Sequence, residues 1–138
     1  MKKQALAVVV ALTISVVAAG ECFARPPVLH ANIPFAFAVG DKWLPAGQYQ
    51  IETVTTGSGT LQVIRHSSGG ANTFLSTIAL EAHHGNSNTE LVFHRYGNEY
   101  FLSQIWNGEG KARQLIESNQ EKEAARSGSA IEVALSVR

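Results

Sequence analysis

The chain has 138 residues, 45% of them hydrophobic and 16% charged, and its 11 Lys and Arg balance 11 Asp and Glu. A neutral chain without a basic stripe excludes nucleic acid as a partner drawn by bulk charge. This length supports one domain around one core.

Lys2 and Lys3 precede an uncharged apolar run from Ala5 to Ala19, and small residues follow. Charged start, apolar middle and small-residue exit are the order of a secretory signal peptide. The run of 15 residues falls short of the roughly 20 that cross a bilayer core. Cys22 and Ala24 place small residues at the two positions a peptidase inspects, so residues 1–24 are expected to be the leader and Arg25 the first mature residue; Ala18-Ala19-Gly20 is the other candidate exit. A lipid anchor on Cys22 needs a small residue before it, where Glu21 stands. Contact with a membrane is therefore expected only through the leader before cleavage. The remaining domain, 25–138, contains no cysteine, so a periplasmic or extracellular destination brings it no disulfide.

From Leu29 to Asn107 the chain reads as short strands punctuated by Gly, Pro, Asn and Ser. Ile33, Phe35, Phe37 and Val39 recur with period two and share a face. Gly40-Asp41 makes a turn, Lys42 to Leu44 a brief strand, and Pro45-Ala46-Gly47 a second turn. Gln48 to Val54 alternates Tyr49, Ile51 and Thr53 against Gln48, Gln50 and Glu52, the pattern of a half-exposed strand. Thr55 to Gly59 reads as a loop, Leu61 to His66 as a strand, and Ala71 to Ala82 as a strand whose Ala-Leu-Glu-Ala end has helical potential. His83 to Asn88 is a polar loop.

Gly97-Asn98 is a two-residue hairpin connection flanked by aromatic and apolar strands. It sets Tyr96 opposite Glu99, Arg95 opposite Tyr100, His94 opposite Phe101 and Phe93 opposite Leu102, whereas a three-residue loop would shift this register by one. Neither face of this hairpin is cleanly polar, so both are expected to be covered, one by the core and the other by the tail. Residues 113–129 read as a short helix or a linker, and 130–138 as a terminal strand in which Ile131, Val133, Leu135 and Val137 alternate with polar or small residues. That strand closes its own sheet or adds to a neighbour's, since a free edge offers backbone groups to any partner. Closure within the chain is the preferred reading.

Chemistry is sparse. His30, His66, His83, His84 and His94 with the single aspartate Asp41 do not show a ligand spacing, so neither metal nor cofactor is expected. His94, Arg95, Tyr96 and Tyr100 form either a polar pocket for a carboxylate or sugar or a set of cross-strand packing pairs, the preferred reading. No Gly-x-Ser-x-Gly, phosphate loop or dinucleotide fingerprint is present. No catalytic residue is assigned.

In "ANIPFAFAVGDKWLPAGQYQI" and "LVFHRYGNEYFLSQIW" the chain resembles a family of small exported bacterial proteins, frequent among acidobacteria, with an Ile-Pro-Phe-x-Phe-x-Val-Gly opening, a Leu-Pro-Ala-Gly-x-Tyr turn and a Phe-His-Arg-Tyr-Gly hairpin. The resemblance covers most of residues 31–117. It implies export and a shared β fold and carries over no catalytic residue. The basic segment that the family places after the tryptophan hairpin is replaced here by Glu117, Glu121 and Glu123.

The expected fold is all-β, a small antiparallel β-sandwich or partly open barrel, with a short helical or irregular segment before a C-terminal strand. The expected function is a non-catalytic structural or interaction module of the envelope or extracellular space, with a protein partner engaged by strand addition or self-association. The alternative is a small-ligand carrier whose mouth is lined by Tyr49, Tyr96, Tyr100 and Trp106, with His94 and Arg95 as further ligand contacts. An enzyme using His94 or the His83-His84 loop is the third option. Protein recovered from the envelope fraction is expected to begin at Arg25, which N-terminal sequencing checks; an intact Met1 in that fraction contradicts the leader.

Overall fold

Ten strands and one helix are formed by the described residues of the computed structural model, which are 25–57, 59–70, 72–81 and 88–138. The expected leader with Cys22 and the His83-His84 pair lie outside these residues. The strands are β1 (Val28–Ile33), β2 (Phe37–Val39), β3 (Lys42–Leu44), β4 (Gly47–Thr56), β5 (Gly59–His66), β6 (Thr73–Glu81), β7 (Thr89–Tyr96), β8 (Glu99–Asn107), β9 (Lys111–Leu115) and β10 (Ile131–Ser136). The helix α1 (Asn119–Ser127) lies between the last two. No described helix is long and apolar enough to cross a membrane.

Hydrogen-bonded neighbours run β1-β4-β5-β6-β9-β8, and from β8 through β7 to β10. Beyond β10, Arg138 and His30 exchange backbone hydrogen bonds of 2.5 and 3.1 Å. The last residue thereby touches the first strand, and the sheet curls into a partly open barrel bridged at that point. Two strands turn the corners. β6 pairs with β5 through Thr73 to Ser76 and with β9 through Thr77 to Glu81. β8 holds β9 through Gln104 to Trp106 and, nearer its start, pairs in parallel with β2 at Phe101. A register shift in the β7–β8 ladder between Val92 and Phe93 separates these two halves, because a bulge bends and twists a strand.

Alternation decides what fills the interior. Leu29, Ala31 and Ile33 of β1 meet Ile51 and Tyr49 of β4, and Ile64 continues the face on β5. At the end of the barrel where β4 begins, Phe93 is fully buried, with Phe35 and Phe37 edge-on to it at ring-centre distances of 5.1 and 5.6 Å. Tyr49 packs edge-on to Phe37 at 5.2 Å. Such edge-to-face pairs add about 0.5–1.5 kcal/mol each beyond area burial. Aromatic rings therefore plug this end.

The hairpin register matches the sequence expectation at all four pairs from Tyr96–Glu99 to Phe93–Leu102. Gly97 takes φ 59° while Asn98 stays negative, the signature of a turn that needs glycine at its first central position. Gly40 repeats the device with φ 59° between β2 and β3. Three expectations need correction. The Ile33 to Val39 strand is broken around Pro34, although its apolar side chains still reach the core. Thr55 to Gly59 is a tight hairpin rather than an open loop, with Thr56 opposite Gly59. Lys111–Leu115 is a strand, so the segment expected as helix or linker over 113–129 begins as strand through Leu115 and becomes helix at Asn119.

The terminal strand pairs with β7 of its own chain from Ile131–Arg95 to Ser136–Glu90. Val133, Leu135 and Val137 lie on the core, and Ile131 is exposed at the strand's start. Within the chain these four residues thus lie in its own sheet, with the β7 side of the strand paired. Deleting residues 129–138 removes apolar burial on the order of 3 kcal/mol and uncovers Leu91 and Phe93, out of a total that is typically about 5–15 kcal/mol. The expected outcome is loss of the cooperative urea transition in circular dichroism; a folded truncated monomer would contradict this role.

Candidate functional site

A strand sends consecutive side chains to opposite faces, and this divides the residues singled out in the hairpin. Phe93 and Arg95 face one way, His94 and Tyr96 the other. Arg95 donates from Nε to the Gly97 carbonyl at 2.7 Å and lies 5.7 Å from the Tyr100 ring centre. Tyr100 in turn stacks on Phe35 at 3.8 Å. His94, Arg95, Tyr96 and Tyr100 thus form no common pocket. The cross-strand packing of Arg95 over Tyr100 is the arrangement present.

On the other face, the tail supplies the cover. Ser118 caps α1, its Oγ accepting from the Glu121 backbone N–H at 3.1 Å, as an N-cap serine does. Glu121 is only 5% exposed, and its Oε1 lies 2.8 Å from His94 Nδ1. A buried carboxylate is costly unless it is hydrogen-bonded and paired, so this contact ties the helix to β7. Burial, then the Glu121 and Glu117 charges and the hydrogen bond to Glu121, push the Tyr96 phenol above its ordinary pKa. Beside it, Trp43 donates from Nε1 to Gln120 Oε1 at 3.0 Å and meets Phe101 edge-on at 5.6 Å.

His94, Glu117 and Glu121 bring potential metal-ligand atoms within 4.8 Å of one another. Sequence spacing hid this group, because its members come from β7 and the far end of the chain. The His94–Glu121 contact has the length of a direct hydrogen bond, which already accounts for the buried carboxylate. Elsewhere, Ser68 Oγ meets His66 Nδ1 at 2.6 Å within one turn. Among the described residues, no carboxylate pairs with that histidine. His30 lies exposed on β1.

The expected aromatic mouth of Tyr49, Tyr96, Tyr100 and Trp106 is not formed. Tyr49 is buried, donates to the Pro45 carbonyl at 2.5 Å, and has its pKa raised by that burial. Tyr100 is packed against Phe35, and Tyr96 and Trp106 lie on the outer side, with Trp106 Nε1 donating to Gln104 at 3.0 Å. Large rings with one polar tip served as filler and cover rather than as a lining.

The real opening is at the other end of the barrel, where β1, β5 and β9 begin and β4, β6 and β8 finish. It encloses about 330 Å³, with Leu29, Gln62 and Ile105 at the bottom. Thr53 and the Gln62 amide hydrogen-bond in both directions at 3.1–3.2 Å. Arg113 donates from Nε to Thr77 Oγ1 at 3.0 Å and from Nη2 to the Thr60 carbonyl at 3.4 Å. No local pattern signals this opening, because the inward side of β9 starts with Lys111 and Arg113 and so does not read as a core strand.

A second surface feature lies outside the barrel. Phe74, Ile78 and Ile116 are 66%, 60% and 61% exposed. Phe74 and Ile78 share the outer face of β6, and the β6–β9 register carried one step beyond Leu115 sets Ile116 opposite Ser76, between them. Phe74 and Ile116 also border one groove of about 430 Å³ with the β2–β3 turn.

Replacing Glu121 with Ala removes the tie between α1 and β7. A hydrogen bond to a charged group contributes about 1.5–3 kcal/mol, so trypsin is expected to cut faster at Lys122 and Arg126 while the barrel's circular dichroism persists. Unchanged cleavage would show that the helix is held by other contacts. No family profile, characterised protein or solved structure matches the chain.

Proposed function

We propose that the chain is exported and serves, without catalysis, as an interaction module in the envelope or extracellular space, presenting the outer face of β6 and the end of β9 to a protein partner. Export rests on the leader-like residues 1–24. The observation that carries the interaction reading is the cluster of Phe74, Ile78 and Ile116 on one outward surface of the barrel, apart from its buried core. Contiguous exposed apolar residues on a folded domain mark contact surfaces more often than scattered single ones do. Their location on a rigid sheet gives a partner a preformed platform, with little ordering entropy to offset.

The absence of catalysis is supported by how the candidate groups are used. His94 is engaged by Glu121, and the His66–Ser68 contact is local to one turn. Neither presents a nucleophile, a base and an orienting acid in series.

Phe74→Ser, Ile78→Ser and Ile116→Ser combined leave the core untouched, so the variant is expected to keep the wild-type urea midpoint within about 0.5 kcal/mol per exposed site. Native mass spectrometry of both proteins purified from their own envelope fraction reads the association. A defined complex or oligomer for the wild type, lost in the variant, is the expected result. A bare monomer in both removes the support for this surface.

A further inference from the structure

We infer that the open end of the barrel binds a small amphipathic anion, a carboxylate on an apolar body, with Arg113 receiving the carboxylate. This site is separate from the β6 surface and does not rest on the interaction reading. Its volume of about 330 Å³ lies within the range of small-molecule sites, which combine mostly apolar walls with a few placed polar groups. Leu29, Ile105 and Ala79 offer the apolar wall, and Thr53 with the fully buried Gln62 offers a fixed polar floor.

The charge arrangement selects the ligand's sign. In the β6–β9 register Arg113 stands opposite Ala79, a partner without charge. The partners that hold the guanidinium are the hydroxyl of Thr77 and the carbonyl of Thr60, both neutral. Among the described residues, no carboxylate pairs with Arg113. Two contacts therefore fix the plane of the guanidinium, and among the described residues neither a carboxylate nor a partner for its Nη1 meets it. A planar fork held in this way matches a carboxylate. For stability alone, an apolar residue at this inward position would avoid the cost of drawing a charge toward the core.

The ligand series is octanoate, octanol and acetate, titrated into the purified full chain by calorimetry and by thermal midpoint. Octanoate is expected to bind saturably at one site, octanol at least about tenfold more weakly, the loss that follows when one charge-assisted hydrogen bond is not made, and acetate at least about tenfold more weakly because it lacks the chain that buries against the wall. Arg113→Gln is expected to weaken octanoate by about tenfold or more and leave octanol unchanged. Ala79→Trp, at an exposed position on the wall, is expected to abolish octanoate binding while the circular dichroism stays that of the wild type.

Equal affinity for octanoate and octanol, or for octanoate and acetate, overturns the inference, as does a wild type that binds no octanoate. A folded Arg113→Gln with undiminished octanoate affinity overturns it too. Should Arg113→Gln fail to fold, because the guanidinium also bridges Thr60 and Thr77, the folded Ala79→Trp variant decides: retained octanoate affinity overturns the site, and lost affinity supports it.

Discussion

Phe93 and His94 are neighbours on one strand, and both sides of that strand have to be shielded from water. This constraint organises the rest of the molecule. The Phe93 side is satisfied by curling the sheet until Phe35, Phe37 and Leu91 surround it. The His94 side cannot be satisfied by the same sheet, and the chain returns to it 27 residues later with Glu121 on α1. A purely apolar helix face would also cover the strand. The acid selects one placement of α1, since a carboxylate that misses its histidine is left buried without a partner.

The two ends of the barrel solve the packing problem differently. At the end near Gly97, aromatic rings interlock and Tyr49 passes its one polar atom to the Pro45 carbonyl. At the other end, the inward positions are Thr53, Gln62 and Arg113, whose polar atoms are matched to one another or to β5 and β6 backbone and hydroxyl groups. Polar networks of this kind are tolerated inside a small barrel when their members are satisfied. They also limit how tightly strands can close over them. The divergence of β5 from the second half of β6, bridged by Arg113, is where the opening lies.

What could be read from the sequence follows the same division. The hairpin was legible because Gly97-Asn98 suits a two-residue turn, and of the two registers open to the sequence the two-residue one is formed. β4 was legible because Tyr49 and Ile51 are apolar against Gln48, Gln50 and Glu52. β9 was not, because its inward residues are Lys111 and Arg113 and its outward Ala112 is buried beneath neighbours, which inverts the usual contrast. The role of the tail was half legible. Its alternation announced a strand, but the strand's partner depends on β7 having an unpaired edge, a fact of topology and not of local pattern. The aromatic mouth failed for a related reason: residue type indicated that the tyrosines could line a site, while position on the pleat assigned each to the core or the outer layer.

The placement of β10 bears on where a partner can dock. A strand that pairs along β7, and beyond which Arg138 bonds to His30 of β1, covers the edge of β7 that would otherwise be a simple route to another chain. The chain has thus spent its most amphipathic strand on itself. Apolar area left over is concentrated instead on the outside of β6, the corner strand, whose first four residues and last five belong to different neighbours. Among the described residues no second layer is seated over Phe74 or Ile78 in the way that α1 is seated over His94. Two outward surfaces of one barrel therefore meet different fates, one shielded by the chain's own helix through a buried acid, the other left to whatever the surroundings provide.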